Sequence, residues 1–297
     1  MTPREQGFLL LTGYLGDPER KPLTVPQFRK LATMAAAMEK PTAERELTVA
    51  DLQSIGCTTA FARRVVDLLS QEELLHWYLK SGSHVGCSPL TRLGEEYPDR
   101  LRKALALDAP GTLWTKGERS LLQTPTISVV GSRDLNPENA AFAAEVGRQA
   151  ALQGYTLVSG NARGADRIAQ DSCLENGGKV ISIVADELSS HPQQENILYV
   201  SEEGFDLPFT AQRALSRNRI IHSFSDKTFV VQCTLGKGGT WSGTRDNLRH
   251  NQSMVCCFDD GSEASRELES MGAVLIRTEE LSGLAAIESR NINFLTK

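Results

Sequence analysis

Apolar and polar positions alternate between two periods along the middle of the chain. Ile127–Val130 is a short apolar run rich in β-branched residues, the pattern of a buried strand. Asn136-Pro137 then offers a cap and a first helical residue. Ala140, Ala141, Phe142, Ala144, Val146, Ala150, Ala151 and Leu152 carry a helix to Gly154. Tyr155–Val158 is a second strand. A further helix follows to about Asn176, and Lys179–Val184 is a third strand. Strand, helix, strand, helix, strand predicts a parallel sheet covered by helices.

The same reading extends to both sides. Lys227–Gln232, Met254–Phe258 and Ala273–Ile276 read as further buried strands, with helices running to His250 and over Ser262–Met271. Glu195–Val200 reads as helical and the tail from Leu281 as a short helix ending before Asn291. Thr112–Thr115 is expected as an edge strand, and Gly82–Pro89 as a linker. Residues 1–85 read as separate helices: Gly7–Thr12, Val25–Glu39 with Met38 on its apolar repeat, a short helix capped by Thr48, then Ala60–Leu69 and Ser70–Leu79. The glycine turn at Ile55–Thr59 resembles that of a helix-hairpin or SAM-like module. Three parts are therefore expected: 1–85 helical, 86–125 linker and edge elements, and 126–297 an α/β domain.

Candidate chemistry sits where strands end. Loops leaving the carboxyl ends of parallel strands line a crevice. Gly131-Ser132-Arg133 follows the first strand, and Ser159-Gly160-Asn161-Ala162-Arg163-Gly164-Ala165-Asp166 the second. Glycines there admit close backbone approach, and helix amino ends offer N–H groups to an anion. Ser132, Ser159, Arg133 and Arg163 would add donors, so the pair of loops points to phosphate binding. Tight turns alone are the simpler use of the same residues. Arg213, Arg217 and Arg219 lie within seven residues, and fixed guanidinium forks suit phosphate. Pairing with carboxylates at the sheet edge is the alternative. A third glycine-rich turn, Gly236 to Thr244, includes Lys237, Gly239 and Thr240 and opens a helix. It is not a nucleotide-triphosphate loop, since Lys-Ser/Thr is missing at the required spacing.

Composition narrows the field. The chain has 297 residues, 40% of them apolar, and no apolar run approaches a membrane span of roughly 20 residues. A cytoplasmic protein is expected. The six cysteines show neither zinc nor disulfide spacing, the five histidines are scattered, and no metal or cofactor is expected. Net charge is −5, which by itself argues against nucleic acid. Its distribution leaves room for a local basic patch, with an evenly solvated surface as the simpler reading. Leu207 to Phe258 holds seven Lys/Arg against two Asp, whereas Asp259 to Lys297 holds four against eight Asp/Glu. Residues 1–108 balance at fourteen of each sign, so no electrostatic footprint supports DNA contact there.

The ordered set of motifs is similar to the DprA (Smf) family of DNA-processing proteins. The resemblance covers roughly residues 90–260. It runs through Tyr97-Pro98, Lys116-Gly117, Val130–Arg133, Ser159–Asp166, Ser201-Glu202, Arg217–Ile221 and Gly239–Thr244. It implies an extended Rossmann-like fold that binds single-stranded DNA, commonly as a homodimer, and helps load a RecA-type recombinase. Carried onto this chain, it implies a pocket of Gly131, Ser132, Arg133, Ser159, Gly160, Arg163, Gly164, Asp166, Arg217, Asn218 and Arg219. Lys237, Gly239, Thr240 and Thr244 would extend it. Asp166 is expected to orient Arg163 or to cap backbone donors. Three features depart from the family pattern. Asn161 stands where members carry an apolar residue, Ala185–Pro192 replaces a Tyr-Pro segment, and the resemblance includes no carboxyl-terminal winged helix.

A binding protein, not an enzyme, is the expectation. The alternatives are a nucleotide sensor of a mobile-element or defence system and a phosphoribohydrolase-like enzyme. Gly238-Gly239-Thr240 is similar to a motif of the latter, with Asp166 and Glu202 as acidic candidates. No Ser–His–Asp arrangement or dinucleotide fingerprint is present.

Overall fold

The computed structural model describes residues 1–36 and 46–288. Its nine strands are β1 (Cys87–Thr91), β2 (Thr112–Gly117), β3 (Thr126–Val130), β4 (Thr156–Ser159), β5 (Lys179–Val184), β6 (Ile197–Glu202), β7 (Lys227–Val230), β8 (Met254–Phe258) and β9 (Val274–Ile276). They form one sheet in the order β1-β2-β6-β5-β4-β3-β7-β8-β9. From β6 to β9 every neighbouring pair is parallel, whereas β1–β2 and β2–β6 are antiparallel. The run β5-β4-β3-β7-β8-β9 has the Rossmann order, so the parallel sheet expected from the pattern is the extended Rossmann-like fold that the resemblance implies.

Helices cover both faces. Five precede or flank the antiparallel end: α1 (Pro3–Thr12), α2 (Val25–Ala35), α3 (Val49–Ser54), α4 (Thr59–Leu69) and α5 (Glu72–His84). Six interleave with the sheet: α6 (Asp99–Leu105), α7 (Pro137–Leu152), α8 (Ala165–Glu175), α9 (Ala211–Phe224), α10 (Gly238–His250) and α11 (Glu263–Ser270). One face of the sheet packs on Phe142, Ala143, Val146 and Ala150 of α7, Ala165, Ala169 and Cys173 of α8, and Leu281 and Leu284 of the tail. The other packs on Leu101 and Leu105 of α6, Ile220, Ile221 and Phe224 of α9, Trp241 of α10 and Leu268 of α11. Spacings of three and four along each helix place these residues on one stripe. Leu9, Leu10, Leu75 and Tyr78 of the amino-terminal helices join the first cluster. Leu11, Leu31, Leu52, Ala62, Val65 and Leu68 form a core of their own. Among the described residues no helix is long and apolar enough to cross a membrane.

Several local expectations are corrected. Glu195–Val200 is not helical: Ile197–Glu202 is β6, paired with β5 on one side and β2 on the other. Its apolar run Ile197-Leu198-Tyr199-Val200 is buried throughout, as an interior strand requires. The expected linker Gly82–Pro89 holds the end of α5 and the start of β1. β1 is the true edge and carries Pro89, which an edge strand tolerates, so β2 is interior. Asn136 stands at the amino end of α7 but its side chain makes no cap bond. Its backbone N–H donates instead to Gln232 Oε1 at 3.0 Å. The tail is a kinked 3-10 segment, Thr278–Ala286. Met38, Glu39 and Asn291 lie outside the described residues.

Candidate nucleic-acid interface

The order of the sheet reverses between β3 and β7. Chains leaving these strands diverge there, α7 and α8 to one face and α9 and α10 to the other, which opens a crevice at the carboxyl ends. A cleft of about 660 Å³ occupies this place. Gly131, Ser132, Arg133 and Asp134 line one wall, with Ala162 and Asp166 beside them. Arg217, Asn218 and His222 of α9 line the floor. Lys237, Gly238, Gly239 and Thr240, the start of α10, line the far wall. Phe209 and Leu215 stand at the mouth and are more than half exposed.

The donors differ in how far they are already engaged. Arg133 is exposed and makes no hydrogen bond with a described residue, and the same holds for the Lys237 side chain. No side chain caps the first turn of α10, so its leading amides face the cleft without intrahelical acceptors. Ser132 is different. Its amide and its hydroxyl both donate to the Gln232 carbonyl, at 2.9 and 3.1 Å. The first turn of α8 is also closed, because Ala165 N–H donates to Ser132 O at 3.2 Å.

Under the cleft lie two buried groups of opposite charge that feel each other's field while their hydrogen bonds go to backbone. Arg217 is 9% exposed and Asp166 5%. Arg217 Nη1 donates to Ile183 O at 2.5 Å and to Gly160 O, whereas its Nε has no partner among the described residues. Asp166 Oδ2 accepts from Gly160 N–H at 3.0 Å and Ala162 N–H at 3.3 Å. Burial raises the Asp166 carboxyl above its ordinary pKa; Arg217 and the two amides oppose that shift. Burial likewise lowers Arg217, with Asp166 and Asp186 opposing. Asp166 thus caps backbone donors, one of its two expected roles. Arg163 does not meet it and pairs with Asp134 at 2.7 Å, both side chains largely exposed.

The glycines serve the protein's own packing. A β-carbon on Gly131 would strike Ala165, and one on Gly160 would strike the Arg217 guanidinium. Gly164 has φ of +87° and abuts the Ser132 and Arg133 carbonyls. For Gly160 and Gly164 the expected approach of backbone to a ligand gives way to close contact between neighbouring loops, whereas Gly131 makes such a contact and also lines the cleft. Ser159 is fully buried and its hydroxyl accepts from Gln170 Nε2 at 2.6 Å, so it supports β4 and offers nothing to the cleft. Thr244 is buried on the inner side of α10, and its hydroxyl has no partner among the described residues. Arg219 turns the other way from Arg217, as two positions two apart on a helix must. It meets Glu202 and the Asp108 carbonyl, beside a second cavity of about 560 Å³ under the amino-terminal helices. Burial raises the Glu202 carboxyl and Arg219 opposes the shift.

Residues 88–282 match the family described as DNA recombination-mediator protein A. The chain belongs to this family. It is 28% identical over 246 residues to protein Smf of Escherichia coli, covering 77% of this chain and 64% of that relative. It therefore spans under two thirds of that relative's length. It is 38% identical over 81 residues to the DNA processing protein DprA of Streptococcus pneumoniae, covering 26% of this chain and 27% of the relative. The X-ray structure of that pneumococcal protein overlays with a TM-score of 0.73 at 24% identity, covering 97% of this chain and 99% of the other. DNA processing protein A from Helicobacter pylori, described for its single-stranded DNA binding mode, overlays at 0.57 with 24% identity, covering 68% and 97%. These likenesses carry the Rossmann-like fold.

The recombination-mediator motifs thus converge only in part. Gly131, Ser132, Arg133, Asp166, Arg217, Asn218, Lys237, Gly239 and Thr240 share the cleft, whereas Ser159, Gly160, Arg163, Gly164, Arg219 and Thr244 do not line it. Asn218 Nδ2 donates to Gly239 O at 3.2 Å, tying the floor to the α10 wall. Sequence reading missed Phe209, Leu215 and His222. The signal for the first was an aromatic residue after Pro208 in a polar loop; for His222 it was a histidine one turn beyond Asn218.

Proposed function

We propose that the chain binds single-stranded DNA in the β3–β7 cleft and acts in recombination by delivering the strand to a RecA-type recombinase, as a homodimer. The observation that carries this reading is the pairing of free cations with exposed apolar side chains around one crevice. Arg133, Lys237 and the open first turn of α10 suit phosphates. Phe209 and Leu215 at the mouth suit base faces. Arg217 acts from below: it holds the β4–α8 loop and adds positive potential to the floor. A cleft of about 660 Å³ also suits a single nucleotide, the second reading.

Fluorescence anisotropy with short single strands, duplexes and a panel of nucleotides separates the two. Under the first reading single strands bind best and affinity falls with salt. Arg133→Ala and Lys237→Ala each weaken binding and flatten the salt dependence. Tight binding of one mononucleotide without strand binding supports the second reading. Strand binding that is unchanged in both variants removes the cleft from the interface.

A further inference from the structure

A relay of buried hydrogen bonds runs from the sheet to the cleft floor and fixes the chemistry of one ring. Ser253 N–H donates to Asn247 Oδ1 at 2.9 Å, which sets the orientation of the Asn247 amide. Asn247 Nδ2 then faces Ser253 Oγ at 2.8 Å and His222 Nδ1 at 3.0 Å. An amide nitrogen only donates, so His222 Nδ1 is the acceptor. A neutral imidazole that accepts at Nδ1 carries its proton on Nε2. Asn247 is fully buried and His222 is 1% exposed, so water cannot readily reshuffle the pattern. Protonating Nδ1 would set one N–H against another, and burial independently pushes the ring's pKa down to about 4. No charged group adds to that shift.

The remaining proton faces the cleft. Nε2 has no hydrogen-bond partner among the described residues. It stands next to Gly243, where a β-carbon would come within 3.3 Å of it, and His222 lines the cleft. Gly239, one turn earlier on α10, belongs to the uncapped turn that follows Lys237. Nε2 is not among the fully buried polar atoms left without a partner, so this fixed donor is open to the cleft and suits an occupant that accepts. The helix dipole, the open amides and Lys237 make that occupant an anion.

We infer that His222 is a fixed, neutral donor that hydrogen-bonds a phosphate oxygen of the strand at the first turn of α10. This assignment rests on the proposed binding of single-stranded DNA in the cleft. It differs from the cationic contacts in one measurable respect. A neutral donor adds affinity but releases no counterion, so its loss leaves the salt slope unchanged.

The test uses the full chain and a short fluorescein-labelled thymidine strand. His222→Phe keeps the ring volume and removes the donor; affinity falls roughly tenfold with an unchanged salt slope. His222→Gln places an amide N–H near the Nε2 position and stays within roughly threefold of the wild type. Lys237→Ala, by contrast, lowers both the affinity and the slope, the latter by about 0.7. Nitrogen NMR of histidine in the free protein reads the tautomer without DNA, with Nε2 protonated and Nδ1 bare near neutral pH. Nδ1 protonation overturns the inference, as does wild-type strand affinity in His222→Phe or failure of His222→Gln to recover it. Absence of strand binding by the wild type overturns the DNA reading and this inference together. A neutral His222→Phe against a binding wild type overturns this inference alone.

Discussion

The guanidinium of Arg217 occupies the space that a β-carbon on Gly160 would need. Helix α9 and the β4–α8 loop therefore interlock under the cleft, with Gly160 O and Ile183 O both accepting from one Arg217 nitrogen. Gly160→Ala forces the guanidinium off its carbonyls and away from Asp166. Overpacking of this kind costs about 1–3 kcal/mol. Because the displaced arginine also leaves Asp166 buried with less compensation, we expect the upper part of that range in urea unfolding. A loss below the lower bound would mean that Arg217 moves without holding the loop.

Arg133 and Arg163 look equivalent in sequence, each following a strand within a glycine-serine loop. In space they differ. Arg133 lines the cleft with its guanidinium unengaged, whereas Arg163 lies outside the lining and pairs with exposed Asp134. Arg133→Ala should weaken single-strand affinity at least fivefold and lower the salt slope by about 0.7. Arg163→Ala should change affinity by less than about twofold, as expected for an exposed pair of small net worth. Anisotropy titrations at several salt concentrations distinguish the two, and equal losses would contradict the placement.

Phe209 carries the prediction for bases. It is 55% exposed at the cleft mouth, so its replacement leaves no cavity in the core. Phe209→Ala should leave urea unfolding within about 0.5 kcal/mol of the wild type. Base stacking on an aromatic ring is worth about 1–3 kcal/mol, so strand affinity should fall by about fivefold or more. The salt slope should not move, since no charge is removed. Equal binding of an abasic strand by the wild type and the variant would confirm that the ring meets bases.

The strands around the site were legible because each is a short, mainly apolar run rich in β-branched or other buried residues and ended by glycine or polar residues. Lys179–Val184 and Met254–Phe258 coincide with β5 and β8. β6 was not legible, because its apolar core follows the polar, helix-compatible Gln193-Gln194-Glu195, and the turn is made by Asn196 alone, at φ of +62°. A run of that length fits either a strand or a buried helix segment. The site was half legible for a different reason. Sequence places Gly131, Gly160 and Gly164 at strand ends but does not say which partner fills the space above each. Here Ala165, Arg217 and the Ser132 and Arg133 carbonyls fill it. A linear reading shows that Arg217 and Arg219 face different ways on a helix, but which of them meets the cleft follows only once α9 is docked.

His222 gives the fold a pH signature with a defined sign. Its folded pKa is about 4, against the usual 6.5, because burial penalises the imidazolium. Below pH 6.5 the unfolded chain takes up a proton that the folded ring refuses until about pH 4. Stability from this group is therefore complete above its unfolded pKa and declines as pH falls through that window. One proton gives a slope of up to about 1.4 kcal/mol per pH unit, or about 3 kcal/mol across the window. Asp166 and Glu202 shift in the opposite sense, and their contributions are lost as pH rises through their raised folded pKa values. They are common to the wild type and to His222→Gln, so the difference between the two proteins isolates the ring. Urea unfolding near pH 7 and near pH 4.5 should show the wild type losing about 2 kcal/mol more than His222→Gln. An equal loss would place the proton on the folded ring and break the relay from Ser253 through Asn247.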